Sequence, residues 1–336
     1  MKKLRVAING FGRIGRAFFR QAWEREELEV VAVNDLGAHD NLAYLLKYDT
    51  AYKRAPFTVE TKGENLVMGG KEVRFFSEKE PSALPWKDLG IDVVIESTGF
   101  FTDYEKAKAH VDAGARRVVI SAPAKGDESL GATILMGINE HKFNTCQISS
   151  NGSCTTNAAS PVVAIIEEKL NIEKALLDTI HSYTASQSIV DSPNKKDWRE
   201  GRAAAQNLVP SSTGAAISVT KAVEGVPFFD GISVRVPTIV GSYVDLTFVT
   251  KKDTSKEEVN QILRDAAAEP RWQGIFSVTD EPLVSSDIVG NTHASIADLE
   301  MTRVVGGNLV KVLSWYDNEA GYTHTLIEHA IKAGNA

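Results

Sequence analysis

The sequence predicts an α/β protein in two parts: a Rossmann-type doubly wound parallel sheet, then an α+β domain whose sheet is mixed and mostly antiparallel. Three observations lead there. Continuous apolar strands alternate with helical stretches in the first third, a glycine-rich turn follows the first strand at once, and after about residue 150 the strands lengthen and alternate apolar with polar. A length of 336 residues suits two domains at roughly 150 residues each.

Residues 4–9 are a short apolar run and 14–24 read as a helix, followed by further apolar strands at 30–34, 91–96 and 117–121. Apolar runs of this kind between helices are what a parallel sheet covered on both faces requires. Beyond the change of texture, 175–180, 232–236, 243–249 and 309–315 read as strands. Along 232–236, Ile232, Val234 and Val236 point one way and Ser233 and Arg235 the other, the mark of a one-sided sheet. Leu326, Ile327, Ala330 and Ile331 recur at helical spacing, so 322–333 should be a terminal helix returning to the first domain. The expected domains are therefore 1–152 completed by a helical segment 317–336, and 153–316. No repeat or low-complexity segment interrupts them.

A hydrophobic fraction of 43% with 24% charged residues is that of an ordinary folded protein. The formal charge of −7 argues against nucleic-acid binding, which needs surplus Lys and Arg. No run of some eighteen apolar residues is present, and the apolar start ends at Asn9 and Gly10, so a membrane span and a leader are not expected and a cytoplasmic place is. The two cysteines, Cys146 and Cys154, provide neither a disulfide framework nor a cysteine-based zinc site, and no metal is expected.

The glycine-rich turn is Gly10, Phe11, Gly12, Arg13, Ile14, Gly15. Gly10 permits the tight turn, Gly12 lets the backbone approach a pyrophosphate, and Gly15 lets helix and strand pack closely. Alone this pattern could be only a turn. Asp35, twenty residues after Gly15 at the end of the second strand, supplies the context: a carboxylate there accepts from ribose hydroxyls and repels an extra phosphate, which favours NAD over NADP.

Cys154 lies in the polar run 149–157, ahead of 158–170, where Ala159, Val162, Val163, Ile166 and Leu170 form a helical stripe. That places it at or near a helix N-terminus, where free amides and the helix dipole favour a thiolate. Pro161 predicts a kink or a late helix start. Cys146, read as part of the preceding strand, is taken as a small buried side chain. A thiolate nucleophile needs a base, and His181 is the best candidate because it ends the 175–180 strand and opens a polar loop. His39, His110, His141, His293, His324 and His329 read as surface or loop residues without a role.

The ordered motifs INGFGRIGR, LLKYDT, ESTGFF, SCTTN, HSYTASQ, GRAAAQNLVPSSTGAA, VRVPT and SWYDNEAGY span essentially the whole chain. Together they resemble the glyceraldehyde-3-phosphate dehydrogenase family. The resemblance implies that Cys154 attacks an aldehyde to give a hemithioacetal and that His181 takes the hydroxyl proton while hydride passes to NAD. Inorganic phosphate then attacks the resulting thioester. It further implies that Thr184 and Arg235 hold the substrate phosphate, that Ser153, Thr213 and Gly214 hold the attacking phosphate, and that Thr155 beside the nucleophile belongs to the substrate and phosphate site. Asn318 is implied to grip the nicotinamide carboxamide, with Ser97 and Thr98 lining that pocket and Ser121 and Tyr322 completing the cofactor site. A homotetramer is implied, the 191–197 loop crossing between subunits.

Two positions depart from the pattern: Ala158 stands where many relatives have a second cysteine, and Glu200 where some have arginine. An erythrose-4-phosphate dehydrogenase is the alternative enzyme. A non-catalytic Rossmann-type binding module is the alternative from another class, and it would leave Cys154 and His181 idle.

Overall fold

The computed structural model describes residues 3–195 and 197–336; Met1, Lys2 and Lys196 of the 191–197 loop lie outside the described residues. The chain divides into two compact units. One takes the residues up to Ile134, then Glu140–Gly152 and Thr323–Ala336; the other takes Leu135–Asn139 and Ser153–Tyr322. Residues 317–322, expected with the first domain, cluster with the second unit. Asp317 accepts the Gly290 N–H at 2.8 Å and Asn318 accepts the Gly241 N–H at 3.1 Å, which ties the segment there.

The first unit is built on a nine-stranded sheet. Its parallel strands run in the order Gly131–Thr133, Ile148–Ser150, Arg117–Ile120, Val93–Glu96, Leu4–Asn9, Leu28–Asn34 and Lys71–Phe76. Antiparallel strands Asn65–Met68 and Val59–Lys62 extend one edge. Leu4–Asn9 sits between Leu28–Asn34 and Val93–Glu96, so the chain winds first to one side and then to the other. The crevice of such a sheet opens past the C-terminal end of that strand, where Gly10 follows. Val6, Ala7, Ile8, Val94 and Ile95 are fully buried, as strands covered on both faces must be.

The terminal helix Ala320–Asn335 enters this unit from Thr323 onward. It packs so closely that a Cβ on Gly334 would lie 2.6 Å from Leu4 Cδ1. His110 and His329 are both fully buried here, correcting their reading as surface residues. Each fills a polar position inside a helix–sheet contact, which single-residue spacing does not reveal. Cys146 is not on a strand: it lies in irregular chain just before Ile148–Ser150, with Sγ 3.7 Å from the Lys142 carbonyl.

The second unit carries a seven-stranded mixed sheet in the order Val209–Ser212, Phe229–Val236, Ile172–Ser182, Ser242–Thr250, Leu309–Tyr316, Ser295–Val305 and Phe276–Thr279. The helix Cys154–Leu170 packs against its central strands. The expected stripe is buried, but so are Thr155–Ala158, Ser160, Pro161, Ala164 and Ile165, because the helix is enclosed on nearly every side. Burying each of Val162, Val163 and Ile166 contributes about 1.5–3 kcal/mol. No late start occurs: the helix begins at Cys154 and runs through Pro161, whose ring cannot donate to the Asn157 carbonyl.

The alternation along 232–236 holds, with the polar side turned to the covered face. Ser233 is 2% exposed and Ile232 52%, and Leu176 on the neighbouring strand is 62% exposed. Val305 and Leu309 are exposed as well, so the outer face of this sheet carries an apolar surface.

Candidate active site

Cys154 is the first residue of its helix, and the structure shows why the helix begins there. Ser153 is the N-cap, its Oγ accepting the Thr156 N–H at 3.0 Å. His181 lies on Ile172–Ser182, where Ala175, Leu177, Thr179 and His181 alternate toward the covered face. Strand and helix thereby bring Cys154 Sγ to 3.3 Å from His181 Nε2. Cys154 is half-buried and His181 nearly fully buried.

Arg235 stands beside His181 in the parallel register of the two strands. His181 Nδ1 lies 2.6 Å from the Ser182 carbonyl and 2.7 Å from Arg235 Nη1, which itself reaches that carbonyl at 3.2 Å. A carbonyl only accepts and a guanidinium only donates, so the two contacts ask for opposite tautomers. We assign Nδ1–H to the Ser182 carbonyl, since Arg235 has that same oxygen as its acceptor. Nε2 is then a bare acceptor facing the thiol. Burial, helped by the Arg235 charge, holds His181 down at about 3, so the imidazole is neutral near pH 7.

Burial pushes the Cys154 thiol up, and the opposing pulls of Arg235 and of hydrogen bonds from the first helical turn do not outweigh it. Those pulls act in the direction expected of a cysteine at a helix start, and desolvation acts against them. Tyr316, of the motif SWYDNEAGY, joins Thr155 Oγ1 at 3.0 Å to Thr179 Oγ1 at 2.9 Å through its hydroxyl, bracing the helix start against the His181 strand, a contact between distant segments that spacing does not signal.

Thr184, Thr213 and Gly214 hydrogen-bond within their own loops. The Thr184 N–H donates to Gln187 Oε1, and Thr213 Oγ1 accepts the Ala215 N–H. Gly214 has nothing within 4 Å of a Cβ, leaving open space there. The Arg235 Nε is buried without a partner. Glu200 accepts from Ser211 Oγ at 2.8 Å. Asn318 is 5% exposed, and its Oδ1 accepts from the Gly241 N–H and the Ser242 hydroxyl, each at 3.1 Å.

In the first unit the three glycines act differently. Gly10 has φ 95°, and a Cβ there would lie 2.6 Å from Ser97 and Thr98 backbone atoms; one on Gly15 would lie 2.2 Å from the Gly10 carbonyl. Gly12 has nothing within 4 Å of a Cβ and caps the helix Arg13–Ala22 without a side-chain hydrogen bond, so there is open room beside a helix start, where an anion is favoured. Asp35 is fixed by the Phe11 N–H at 2.6 Å and the Gly37 N–H at 2.8 Å. The cradle fits a dinucleotide: room over Gly12, a helix start for its pyrophosphate and a set carboxylate for its ribose.

Ser97 and Thr98 turn their hydroxyls inward, Ser97 to the Gly10 carbonyl at 2.7 Å and Thr98 to Glu96, so both brace the turn. Ser121, half-buried, donates its N–H to the Glu96 carbonyl at 2.9 Å. Tyr322 is buried at the start of the terminal helix. Beneath the turn, Glu96 accepts from Asn9 at 2.6 Å and from His110 Nε2 at 3.0 Å, while Trp86 donates to His110 Nδ1. Among the described residues no group of three His, Cys, Asp or Glu side chains could hold a metal, and no helix is long and apolar enough to cross a membrane.

A dinucleotide cradle and a thiol facing a neutral imidazole define an NAD-dependent oxidoreductase with a cysteine nucleophile. The family profile described as "Glyceraldehyde 3-phosphate dehydrogenase, NAD binding domain" matches residues 4–104, and that of the C-terminal domain matches 153–318. The chain is 49% identical over 328 residues to the glyceraldehyde-3-phosphate dehydrogenase of Thermotoga maritima, covering 96% of this chain and 97% of that one. It is 45% identical over 330 residues to the Geobacillus stearothermophilus enzyme of the same name, covering 97% of each. The chain belongs to the glyceraldehyde-3-phosphate dehydrogenase family.

Proposed function

We propose that the chain oxidises D-glyceraldehyde 3-phosphate with NAD and inorganic phosphate to 1,3-bisphosphoglycerate, with residues 1–152 and 317–336 serving the cofactor and 153–316 the chemistry. The observation that carries this reading is the 3.3 Å approach of Cys154 Sγ to a neutral His181 Nε2. Sulfur adds to the aldehyde carbon while its proton passes through His181 to the carbonyl oxygen, giving a hemithioacetal. His181 then takes the hydroxyl proton as the hydride departs, leaving a thioester on Cys154. NAD supplies the acceptor for that hydride. Phosphate attacks the thioester carbonyl, and His181 returns its proton to the departing sulfur.

Arg235 and Thr184 serve the sugar phosphate; Ser153, Thr155, Thr213 and Gly214 serve the attacking one. An arginine fork, hydroxyls and open backbone amides suit such anions. The glycine turn 10–15, Asp35, Ser97, Thr98, Ser121, Asn318 and Tyr322 serve NAD. The apolar outer face of the second sheet supports a homotetramer, checked by the solution mass. Charged substrates of this kind go with a cytoplasmic place, checked by cell fractionation.

An absorbance assay for NADH tests the activity. Rapid turnover with glyceraldehyde 3-phosphate that depends on phosphate, and slow turnover with erythrose 4-phosphate, is the expected result. Absence of NADH, or preference for erythrose 4-phosphate, would overturn it.

A further inference from the structure

Glu96 is 2% exposed, and the hydrogen bonds around it all run in one direction. The Glu78 N–H donates to Asn34 Oδ1 at 2.8 Å. That leaves Asn34 Nδ2 to donate to Asn9 Oδ1 at 2.7 Å, and Asn9 Nδ2 to donate to Glu96 Oε2 at 2.6 Å. From the other side the Trp86 indole N–H donates to His110 Nδ1 at 3.0 Å, so His110 is the neutral Nε2–H tautomer and donates to the same Glu96 oxygen. An amide or indole N–H can only donate, so neither chain can be reversed. On Oε1 the Thr98 N–H donates at 2.8 Å, and the Thr98 hydroxyl, whose oxygen accepts the Phe100 N–H, donates as well. Every hydrogen in the network ends on Glu96 and none leaves it, which makes the side chain a carboxylate. Its ion-pair partner is the neutral His110, and among the described residues no Lys or Arg pairs with it. A buried anion without a counter-cation is costly, and its attraction for a positive charge brought by a ligand is little screened.

Glu96 ends the strand Val93–Glu96, level with Asn9 in the parallel pairing to Leu4–Asn9, and Ser97 and Thr98 after it lie against Gly10. Asp35 follows Leu28–Asn34, the strand on the opposite side of Leu4–Asn9. A dinucleotide lies across the carboxyl ends of such strands, so with its adenosine ribose on Asp35 its nicotinamide half falls on the Glu96 side. We infer that Glu96 is a specificity-determining residue for the oxidation state of the cofactor: its uncompensated charge favours the oxidised ring, which is positive, over the reduced ring, which is neutral. This rests on the assignment of Asp35 to the adenosine ribose. Glu96 acts through space, since its own atoms are enclosed beneath the turn.

Equilibrium binding of NAD, NADH and the benzamide analogue of NAD tests this. The analogue has carbon in place of the ring nitrogen, so it keeps the flat ring and the carboxamide and loses the charge. The parent enzyme should bind NAD about tenfold more tightly than the analogue, well within what one unit charge supplies at an effective dielectric constant of about 20. E96Q should remove most of that ratio, bringing NAD and the analogue within about threefold of each other, and should weaken NADH no more than the analogue. N9D/E96Q moves the one carboxylate to the neighbouring strand end and should restore the ratio.

A parent enzyme that binds the analogue as tightly as NAD would overturn the role of Glu96, whether or not E96Q folds. So would an E96Q enzyme that loses all three ligands in equal proportion, as a role in shape alone demands, or loss of the ratio in N9D/E96Q. D35A should weaken the three ligands alike. If it weakens none of them, the placement of Asp35 fails instead, a result distinct from failure of Glu96.

Discussion

Each unit of the molecule buries a histidine against a nucleophile-type side chain, and only one of the two pairs is built for chemistry. In the second unit His181 Nε2 faces Cys154 Sγ at 3.3 Å. In the first, His329 Nε2 faces Ser149 Oγ at 2.7 Å, with Nδ1 3.2 Å from Asn151 Oδ1. Asn151 Oδ1 only accepts, so both imidazoles carry the proton on Nδ1 and turn a bare Nε2 to the partner. Burial depresses both to about 3.

What separates them is access and charge. Ser149 is 3% exposed and His329 fully buried, whereas Cys154 is half-open, starts a helix and has Arg235 beside its base. A nucleophile with an oriented base is thus insufficient. In the proposed reaction, the Arg235 cation and the exposure of Cys154 complete the site.

Replacing each histidine should separate the pairs most sharply. H181N should lower kcat by about 10²–10⁴-fold, the usual contribution of a general base, while H329N leaves kcat within about twofold once folded. Comparable losses in steady-state assays would break the comparison. Labelling should separate the two cysteines next: Cys154 has an imidazole nitrogen at 3.3 Å to take its proton, whereas Cys146 Sγ lies 3.7 Å from a carbonyl. Iodoacetamide should modify Cys154 at least about tenfold faster, and H181N should erase the difference. Because burial raises the Cys154 thiol above its ordinary 9.0, its labelling rate should still climb at pH 9. A plateau near neutrality in peptide mass spectrometry would contradict the thiol assignment.

The sealed pair should reveal itself through stability. S149A removes the donor to a buried Nε2 and should cost about 1–3 kcal/mol in denaturant unfolding, with activity intact. A further test concerns acid. His181 and His329 have folded values depressed from 6.5 to about 3. Between those limits the unfolded chain binds more protons, so their contribution is whole above about pH 6.5 and is lost as pH falls toward 3. H329Q should flatten the fall of Tm across that window. An unchanged slope would place the proton uptake elsewhere.

Legibility in the sequence followed the same divide. Gly10, Gly12, Gly15 and Asp35 act within one strand–turn–helix–strand unit, where spacing and chemistry suffice, and Cys154 announced its helix start through the polar run around it and the apolar stripe behind it. His181 was a candidate among seven histidines until the strand register placed it. Tyr316, Ser242 and the orientation of Asn318 depend on contacts between distant segments, which spacing does not carry. His110 and His329 were misread because a polar side chain inside a helix–sheet contact has no local signature. The side of 232–236 that is covered was equally hidden, since alternation reveals two faces without saying which one meets the helix.

In the proposed reaction Cys154 alone becomes acylated, and trapping the intermediate tests this. Enzyme mixed with NAD and glyceraldehyde 3-phosphate, without inorganic phosphate, should release a burst of NADH near one equivalent per site and carry the 3-phosphoglyceroyl group on the Cys154 peptide, discharged on adding phosphate. A burst without modified Cys154, or an acyl group on Cys146, would contradict the account.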